Sequence, residues 1–169
     1  MSAVVSTRQI PIRVLTEETF EPFGAVLPAV PDGDAPRPGE RLLDLSRGTP
    51  RFYVMSLHDR PARFTSVTRH RRVTQTLAGV GGADWLLAVA PPGDVDDPDT
   101  RPMIDDVAVF RVPGDVAVLL HRGTWHAGPF FETTSMSFFN LELDDTNQVD
   151  HQNHWFGGIE LVAVKGDHR

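Results

Sequence analysis

The chain has 169 residues, of which 40% are hydrophobic; this is the length of one domain and enough to bury a sizeable core. Its formal net charge of -7 argues against nucleic acid or an anionic membrane as a partner, because both require a basic surface, and a small molecule is the better candidate. The absence of cysteine excludes disulfides, cysteine nucleophiles and thiolate metal sites, which leaves histidine, aspartate and glutamate as candidate ligands.

The composition also favours an all-β fold. Fourteen glycines and fourteen prolines are too many for a helical bundle and are typical of many short strands joined by turns. The chain begins with no basic stretch followed by a long apolar run, and no window approaches the apolar length that spans a bilayer. We therefore expect a cytoplasmic protein with a single domain over residues 1–169.

The first part of the chain predicts a strand, a short helix and a loop. Residues Ile10 to Leu15 alternate in polarity as an edge strand does, and Thr16 is a good helix N-cap because two glutamates follow it in the first turn. The helix should end by Gly24. The segment from Pro28 to Glu40 is rich in proline, glycine and aspartate, which predicts a loop.

From Arg51 onwards the pattern changes to a period of two residues. Four strands are predicted, each bounded by Gly, Pro, Asp or Arg: FYVMSL, ARFTSVT, VTQTLAG and WLLAVAPP. Strands at roughly ten-residue spacing without a helical stripe indicate a sandwich or a barrel. The acidic segment from Pro91 to Pro102 cannot be a strand because of its prolines, so it should be a loop between two groups of strands.

The stretch from Phe110 to Phe131 is the most informative part of the sequence. Its apolar runs VAVF and VAVLL are joined by Pro-Gly-Asp and lead into His121-Arg122-Gly123-Thr124-Trp125-His126, which predicts a hairpin and then a second tight turn at the glycine. His126 should therefore follow a turn at the end of a rigid sheet, where β-barrels place their ligands. We expect the barrel cavity to open beside this turn and to be lined by His126 and Gln75.

These motifs resemble those of a known family. The segment GDVAVLLHRGTWH looks like the second sequence motif of cupins, and HRGTWHAGPF is similar to the ureidoglycolate lyase family, formerly called ureidoglycolate hydrolase. Arg69-His70 followed by Thr74-Gln75 matches a second family pattern, and the preceding RPARF resembles the family's Arg-Pro-x-x-Phe. The resemblance spans roughly Ile10 to Asp150 and implies a mainly-β, cupin-like β-barrel or jelly roll with a short N-terminal helix.

The first cupin motif is only partly present. Gln75 occupies the place of its acidic residue, and Arg69 and Arg71 fall where metal-binding histidines would be. Because guanidinium has no lone pair to give a metal, the full metal site of a cupin dioxygenase is absent. On a regular strand His70 and Gln75 would face opposite sides, so both reach one cavity only if a bulge or a turn lies between them; we expect a bulge near Arg72.

The resemblance implies cleavage of ureidoglycolate to glyoxylate and urea, a step of allantoin and purine degradation. It suggests His126 and His70 as an acid–base pair, or as ligands to an activating divalent metal ion. The other candidates would bind the substrate. The amide of Gln75 would bind the ureido group, and a guanidinium from Arg69, Arg71 or Arg72 would bind the carboxylate. His121 and Trp125 would contact the substrate beside the second turn. Capping by His121 and packing by Trp125 are the alternatives for the last two.

Two other functions stay open. One is a metal-dependent cupin isomerase or oxygenase that acts on another small acid, and the other is a non-catalytic cupin that only binds one. The polar segment from Asp144 to Trp155, which contains Asp150, His151 and His154, resembles an Asp-x-Asn-x-x-Asp segment of the family and is predicted to be a hydrogen-bonded turn near the pocket. We also expect a homodimer, because family members of this size usually associate and the predicted strand edges need covering.

Overall fold

The computed structural model describes residue 3 and residues 6–166. Over this part the chain forms thirteen strands, joined mostly by short turns. The strands are β1 Ser6–Val14, β2 Gly24–Leu27, β3 Pro50–His58, β4 Arg63–Phe64, β5 Ser66–Arg69, β6 Gln75–Gly79, β7 Trp85–Ala90, β8 Ala108–Val112, β9 Ala117–Leu120, β10 Trp125–Phe130, β11 Ser135–Leu143, β12 Gln152–Trp155 and β13 Ile159–Val164.

Helical structure is limited to single turns. The α-helices are α1 Glu17–Phe20 and α2 Thr146–Val149, and two 3-10 turns lie at Pro38–Arg41 and Ile104–Asp106. Helix α1 is the predicted one: the Thr16 side chain accepts from the Thr19 N–H at 3.1 Å and caps it. In the described part of the chain, no helix is long and apolar enough to cross a membrane.

The strands form two sheets. The larger has the order β12-β5-β10-β7-β8-β1-β13-β4, and the smaller has the order β2-β9-β6-β11-β3. Both sheets curl into a half-barrel, and the predicted mainly-β class with a short N-terminal helix is confirmed. The strand predicted to begin at Ile10 starts earlier, at Ser6, and the predicted strand ARFTSVT is interrupted between β4 and β5. The acidic segment from Pro91 to Pro102 contains no strand.

The central strands of the larger sheet are buried on both faces. On β7, Leu87 and Val89 belong to a core between the two sheets, while Ala88 and Ala90 pack in a second core within the curl of the larger sheet. A strand covered on both faces has no polar side to present, which explains the unbroken apolar run of β7. The two cores hold the walls of the barrel, and with them the cavity between the sheets, in place.

Candidate active site

A cavity of about 480 Å³ opens between the two sheets. Thirteen of its lining side chains carry hydrogen-bonding or titratable groups, among them Tyr53, His70, Gln75, His126, Glu142 and His151. A groove of about 900 Å³ lies beside this cavity and shares Arg60 and Phe130 with it, but no histidine lines that groove among the described residues. The histidines therefore make the smaller cavity the candidate active site.

His126 lies on β10 with its imidazole facing the cavity. Its neighbour Trp125 faces the opposite side, since successive side chains of a strand alternate. His126 Nδ1 lies 3.2 Å from the carbonyl oxygen of Thr124; because a carbonyl can only accept, Nδ1 carries the hydrogen and Nε2 keeps its lone pair. Burial, and next the neighbouring His70, lowers the pKa of His126 to about 3. The ring is therefore neutral at neutral pH.

His70 follows the end of β5 and lies beside His126. The centroids of these two rings are 5.1 Å apart, and the centroid of the His151 ring lies 5.6 Å from that of His70. His70 Nδ1 donates to the carbonyl oxygen of Asp150 at 2.6 Å, so its Nε2 also keeps the lone pair. Burial lowers the pKa of His70 as well. The cavity thus holds two neutral imidazoles in the same tautomer.

A turn between strands brings His70 and Gln75 to the same cavity. Strand β5 ends before His70 and β6 begins at Gln75, so the chain crosses from the larger sheet to the smaller one between them. The Asp150 carboxylate accepts the backbone N–H groups of Arg71 and Arg72, both at 2.8 Å, and holds this turn. The predicted bulge near Arg72 is therefore wrong and the alternative, a turn, is present: β5 ends at Arg69, so the parity of a single strand does not apply.

On the facing wall, four polar side chains form one hydrogen-bonded network. Gln75 Nε2 donates to Asn140 Oδ1 and to Glu142 Oε2, both at 3.2 Å, which uses both of its hydrogens. The Tyr53 hydroxyl donates to Glu142 Oε1 at 3.2 Å and accepts from Asn140 Nδ2 at 3.1 Å. The orientation of the Gln75 amide is thereby determined, and its Oε1 is buried without a partner among the described residues.

Glu142 is the buried acid of this network. It is 1% exposed, and burial raises the pKa of its carboxyl group. Glu142 and Gln75 belong to the smaller sheet and the two histidines to the larger one, so the acid and the imidazoles occupy opposite walls.

Arg69, predicted to bind substrate, has a structural role instead. Its guanidinium is fully buried and donates to Gln152 Oε1 at 2.7 Å and to three backbone carbonyls of residues 92–97, at 2.7 to 3.2 Å. It also lies over the Trp125 ring, 4.8 Å from the centroid. The acidic loop has no strand partner for these carbonyls, and Arg69 supplies the donors that they need.

The other two predicted arginines also point away from the cavity. Arg71 donates to the carbonyls of Val95 and Asp96, both at 2.6 Å. Arg72 donates to the Arg47 carbonyl and lies 3.5 Å from an Asp145 carboxylate oxygen. None of the three predicted arginines lines the cavity, so the structure does not support their assignment to the substrate carboxylate.

His121 and Trp125 also lie outside the cavity. His121 Nε2 lies 3.1 Å from the carbonyl of Glu21, which makes the histidine a cap on the chain after α1. Trp125 is completely buried in the core within the larger sheet. For both residues the structure supports the alternatives of capping and packing rather than substrate binding.

Two other arginines do line the cavity. Arg63 is engaged by Glu160 in a two-pronged ion pair with distances of 2.9 and 2.6 Å. The Arg60 side chain is exposed, and no acceptor for it is found in residues 6–166. The motif RPARF contains both residues, and its resemblance to the family's Arg-Pro-x-x-Phe is the sequence signal that could identify them.

Sequence reasoning also missed the network on the facing wall. Tyr53, Asn140 and Glu142 lie in apolar strands, where no spacing marks them as a group. On β11 the polar Asn140 and Glu142 face inwards, while Phe139 is 40% exposed on the outer face. Since polar residues of a half-buried strand normally face water, the pattern gave the opposite indication.

The donors present do not fit a resident metal ion. Within residue 3 and residues 6–166, no group of three or more His, Cys, Asp or Glu side chains is placed to hold one. His70 and His126 supply two imidazole nitrogens, whereas catalytic metal sites typically use three protein ligands. We therefore assign no chemical step to a metal.

Comparison with known proteins agrees with the motifs. The "Ureidoglycolate lyase" of Pseudomonas syringae pv. syringae (strain B728a) is 28% identical and covers 93% of this chain and 95% of that protein. The proteins of the same name from Pseudomonas fluorescens (strain Pf0-1) and Azotobacter vinelandii (strain DJ / ATCC BAA-1303) are 28% and 27% identical over 70% of this chain and 75% of each relative.

Among solved structures, an oxalate decarboxylase from Bacillus subtilis aligns with a TM-score of 0.41 at 10% identity, over 64% of this chain and 24% of that longer one. The sequence profile of the family described as "Ureidoglycolate lyase" matches residues 7–162, a range that contains every residue of the cavity. The chain therefore belongs to the ureidoglycolate lyase family of enzymes.

Proposed function

We propose that this protein cleaves ureidoglycolate to glyoxylate and urea in the cavity between its two sheets. The observation that carries the proposal is the pair of neutral imidazoles, His70 and His126, with ring centroids 5.1 Å apart and with both Nε2 atoms left free of backbone partners. The family relationship supports the substrate, since its members named above carry that activity in their names.

The proposed reaction is the collapse of a hemiaminal. A histidine Nε2 accepts the proton of the substrate hydroxyl, the O–H electron pair forms the carbonyl of glyoxylate, and the C–N bond breaks towards nitrogen. The nitrogen takes up one proton and leaves as urea, so atoms and charge balance without another reactant. A neutral imidazole can accept this proton because its lone pair is free at neutral pH.

Substrate binding in this proposal uses Gln75 and Arg60. Gln75 Oε1 is a buried acceptor without a partner in the described part of the chain, and an N–H of the ureido group would relieve the cost of about 1–3 kcal/mol that such a group carries. Arg60 replaces the three arginines predicted from the sequence: its guanidinium lies at the cavity and is suited to a carboxylate.

The proposed setting is allantoin degradation in the cytoplasm, by a homodimer. The outer face of the smaller sheet supports the dimer, because Phe52 and Val54 on its edge strand β3 are 68% and 55% exposed. Phe52 stacks on the exposed Phe139 at 5.8 Å between ring centroids. A second copy of the chain would cover both this apolar face and the free edge of β3.

Incubation of the purified protein with ureidoglycolate tests the proposal directly. We expect glyoxylate and urea to form in equal amounts, and the rate to be the same with and without a chelator. Binding of ureidoglycolate without turnover would favour the non-catalytic cupin instead. Loss of activity with chelator and its return with a divalent metal would favour the metal-dependent enzyme.

A further inference from the structure

A concerted cleavage needs a proton donor at the leaving nitrogen besides the histidine that takes the hydroxyl proton. The Nδ1 hydrogens of His70 and His126 are bonded to the carbonyls of Asp150 and Thr124. The nitrogens left for the substrate are therefore lone pairs, which accept a proton but cannot give one. If both proton transfers occur in the same step, the histidine that accepts the hydroxyl proton cannot also donate, and the leaving nitrogen takes its proton from another group in the cavity.

Glu142 is suited to this role by its position. It lines the cavity on the wall opposite the two histidines and is 1% exposed. A substrate between the walls could have its hydroxyl near an imidazole and its nitrogen near the carboxyl group. General acid and general base would then act on the two atoms whose bonds change in the same step.

The surroundings of Glu142 favour its protonated form. Its oxygens receive only the neutral donors Tyr53 and Gln75, and no ion pair to it occurs in the described part of the chain. The nearby Arg51 lies over the Tyr53 ring, 3.6 Å from the centroid. A buried carboxylate without a cationic partner is costly, and an anionic substrate in the same cavity would add a second negative charge.

The pKa of Glu142 agrees with this geometry. Burial is the largest cause and raises it, while the hydrogen bond from Tyr53 and the charges of Arg51 and His151 lower it by less. His70 and His126 face Glu142 across the cavity and are neutral, so they do not stabilise its ionised form.

We propose that Glu142 is the catalytic acid that protonates the urea nitrogen as the C–N bond breaks. The inference rests on the proposed cleavage of ureidoglycolate. The Glu142 O–H bond breaks, the C–N electron pair takes this proton as a new N–H bond, and the hydroxyl proton goes to a histidine. After the products leave, that proton returns to Glu142 through cavity water, so no net proton is consumed.

The first test is the variant Glu142→Gln, which keeps the size of the side chain but has no acidic proton. We expect kcat to fall by about a hundred- to ten-thousand-fold with little change in KM. The control is Glu132→Gln, which makes the same chemical change at an exposed position outside this cavity and should leave kcat unchanged. Circular dichroism shows whether both variants fold, and Glu142→Asp, which keeps an acidic proton, should recover part of the rate.

A second substrate separates an acid from a merely structural residue. In 2-hydroxy-2-(trifluoroacetamido)acetate the leaving nitrogen is more acidic and needs less protonation in the transition state. The loss caused by Glu142→Gln should shrink with this substrate, whereas a distorted site would lose activity on both alike. A variant with kcat within about threefold of wild type on ureidoglycolate would overturn the inference.

A binding measurement decides the question without turnover. Glyoxylate is titrated calorimetrically into wild type and Glu142→Gln from about pH 6 to about pH 9, in buffers of different ionisation enthalpy. At pH values above the pKa of free Glu142 we expect proton uptake on binding by wild type and none by the variant; equal uptake by both at every pH would contradict the proposal. If wild type forms no glyoxylate from ureidoglycolate, the proposed function fails, while this titration still shows whether Glu142 holds the proton.

Discussion

At the scale of single residues, backbone carbonyls determine what each imidazole can do. His126 and His70 each donate their Nδ1 hydrogen to the main chain, to Thr124 and Asp150 respectively. A histidine held in this way presents the lone pair of its Nε2 atom in one direction, and its ring cannot rotate without losing the hydrogen bond of Nδ1. The same arrangement suits a general base or a ligand, so the two roles must be separated by measurement.

Replacing His126 tests its role directly. We expect His126→Gln to lower kcat by about a hundred- to ten-thousand-fold, because a positioned base contributes on that order. The matched control His58→Gln, at the exposed end of β3, should retain wild-type kcat. Elemental analysis of wild type and His126→Gln separates base from ligand, since only a ligand would change metal content. Near-full activity of His126→Gln would instead make the motif structural.

The low pKa of His126 also predicts how stability depends on pH. The folded chain keeps this ring neutral down to about pH 3, whereas the unfolded chain protonates it below about pH 6.5. The unfolded state thus binds more protons between these values, so stability is complete above about pH 6.5 and falls as the pH is lowered. At pH 5 this one group should cost about 2 kcal/mol.

Urea denaturation at pH 7.5 and pH 5 measures this dependence. The loss in free energy of unfolding between the two pH values should be about 2 kcal/mol smaller in His126→Gln than in wild type. His58→Gln should show the wild-type loss. Equal losses in all three proteins would mean that the His126 ring is as easily protonated in the folded chain as in the unfolded one.

Arg60 is expected to control affinity rather than the chemical step. Its guanidinium lines the cavity, and pairing with the substrate carboxylate would be lost in Arg60→Ala. We expect KM for ureidoglycolate to rise by about tenfold or more with a smaller change in kcat. The comparison variant is Arg13→Ala, an exposed arginine outside this cavity. Unchanged KM in Arg60→Ala would show that another group binds the carboxylate.

At the scale of elements, the site depends on two segments without regular structure. The turn between β5 and β6 is held by Asp150, and residues 92–97 are held by the guanidinium groups of Arg69 and Arg71. Both segments have backbone groups that no sheet satisfies, so side chains supply the missing partners. The arginines near His70 therefore shape the wall behind the site instead of entering it.

Replacing Arg69 should separate stability from binding. Arg69→Met leaves several buried carbonyls without donors, and we expect the free energy of unfolding to fall by about 2–4 kcal/mol. At a temperature where the variant is folded, KM should stay within about threefold of wild type, because the side chain does not reach the cavity. Arg41→Met, at an exposed position, should change neither quantity. A large rise in KM without loss of stability would restore the role predicted from the sequence.

At the scale of the whole molecule, the outer face of the smaller sheet is the region where association is expected. It combines the free edge of β3 with the exposed side chains of Phe52, Val54 and Phe139. Light scattering at micromolar concentration should give about twice the chain mass of 18.7 kDa. Phe52→Asp should shift the protein to the monomer, while Val14→Asp, at a position that is 73% exposed on the larger sheet, should not. A wild-type protein with only the 18.7 kDa species would rule the dimer out.

Local patterns alone determined the elements of this protein. The period of two residues, the Pro-Gly-Asp and glycine turns, and the Thr16 cap are properties of neighbouring residues, so the strands and the short helix could be predicted. The turn motif around His126 likewise predicted that its side chain would line the cavity, which is where it lies.

Only the tertiary structure decided which polar side chains meet. Glu142 lies on a strand whose pattern suggests an apolar inner face, and it is paired with Gln75 from another strand and with Tyr53 from a third. Arg69 lies beside His70 in sequence, but it turns to carbonyls about twenty-five residues away because an irregular loop needs donors there. Such partners depend on how the sheets curl and on which side chains hydrogen-bond to the backbone groups of the loops. Neither is encoded in the spacing of nearby residues.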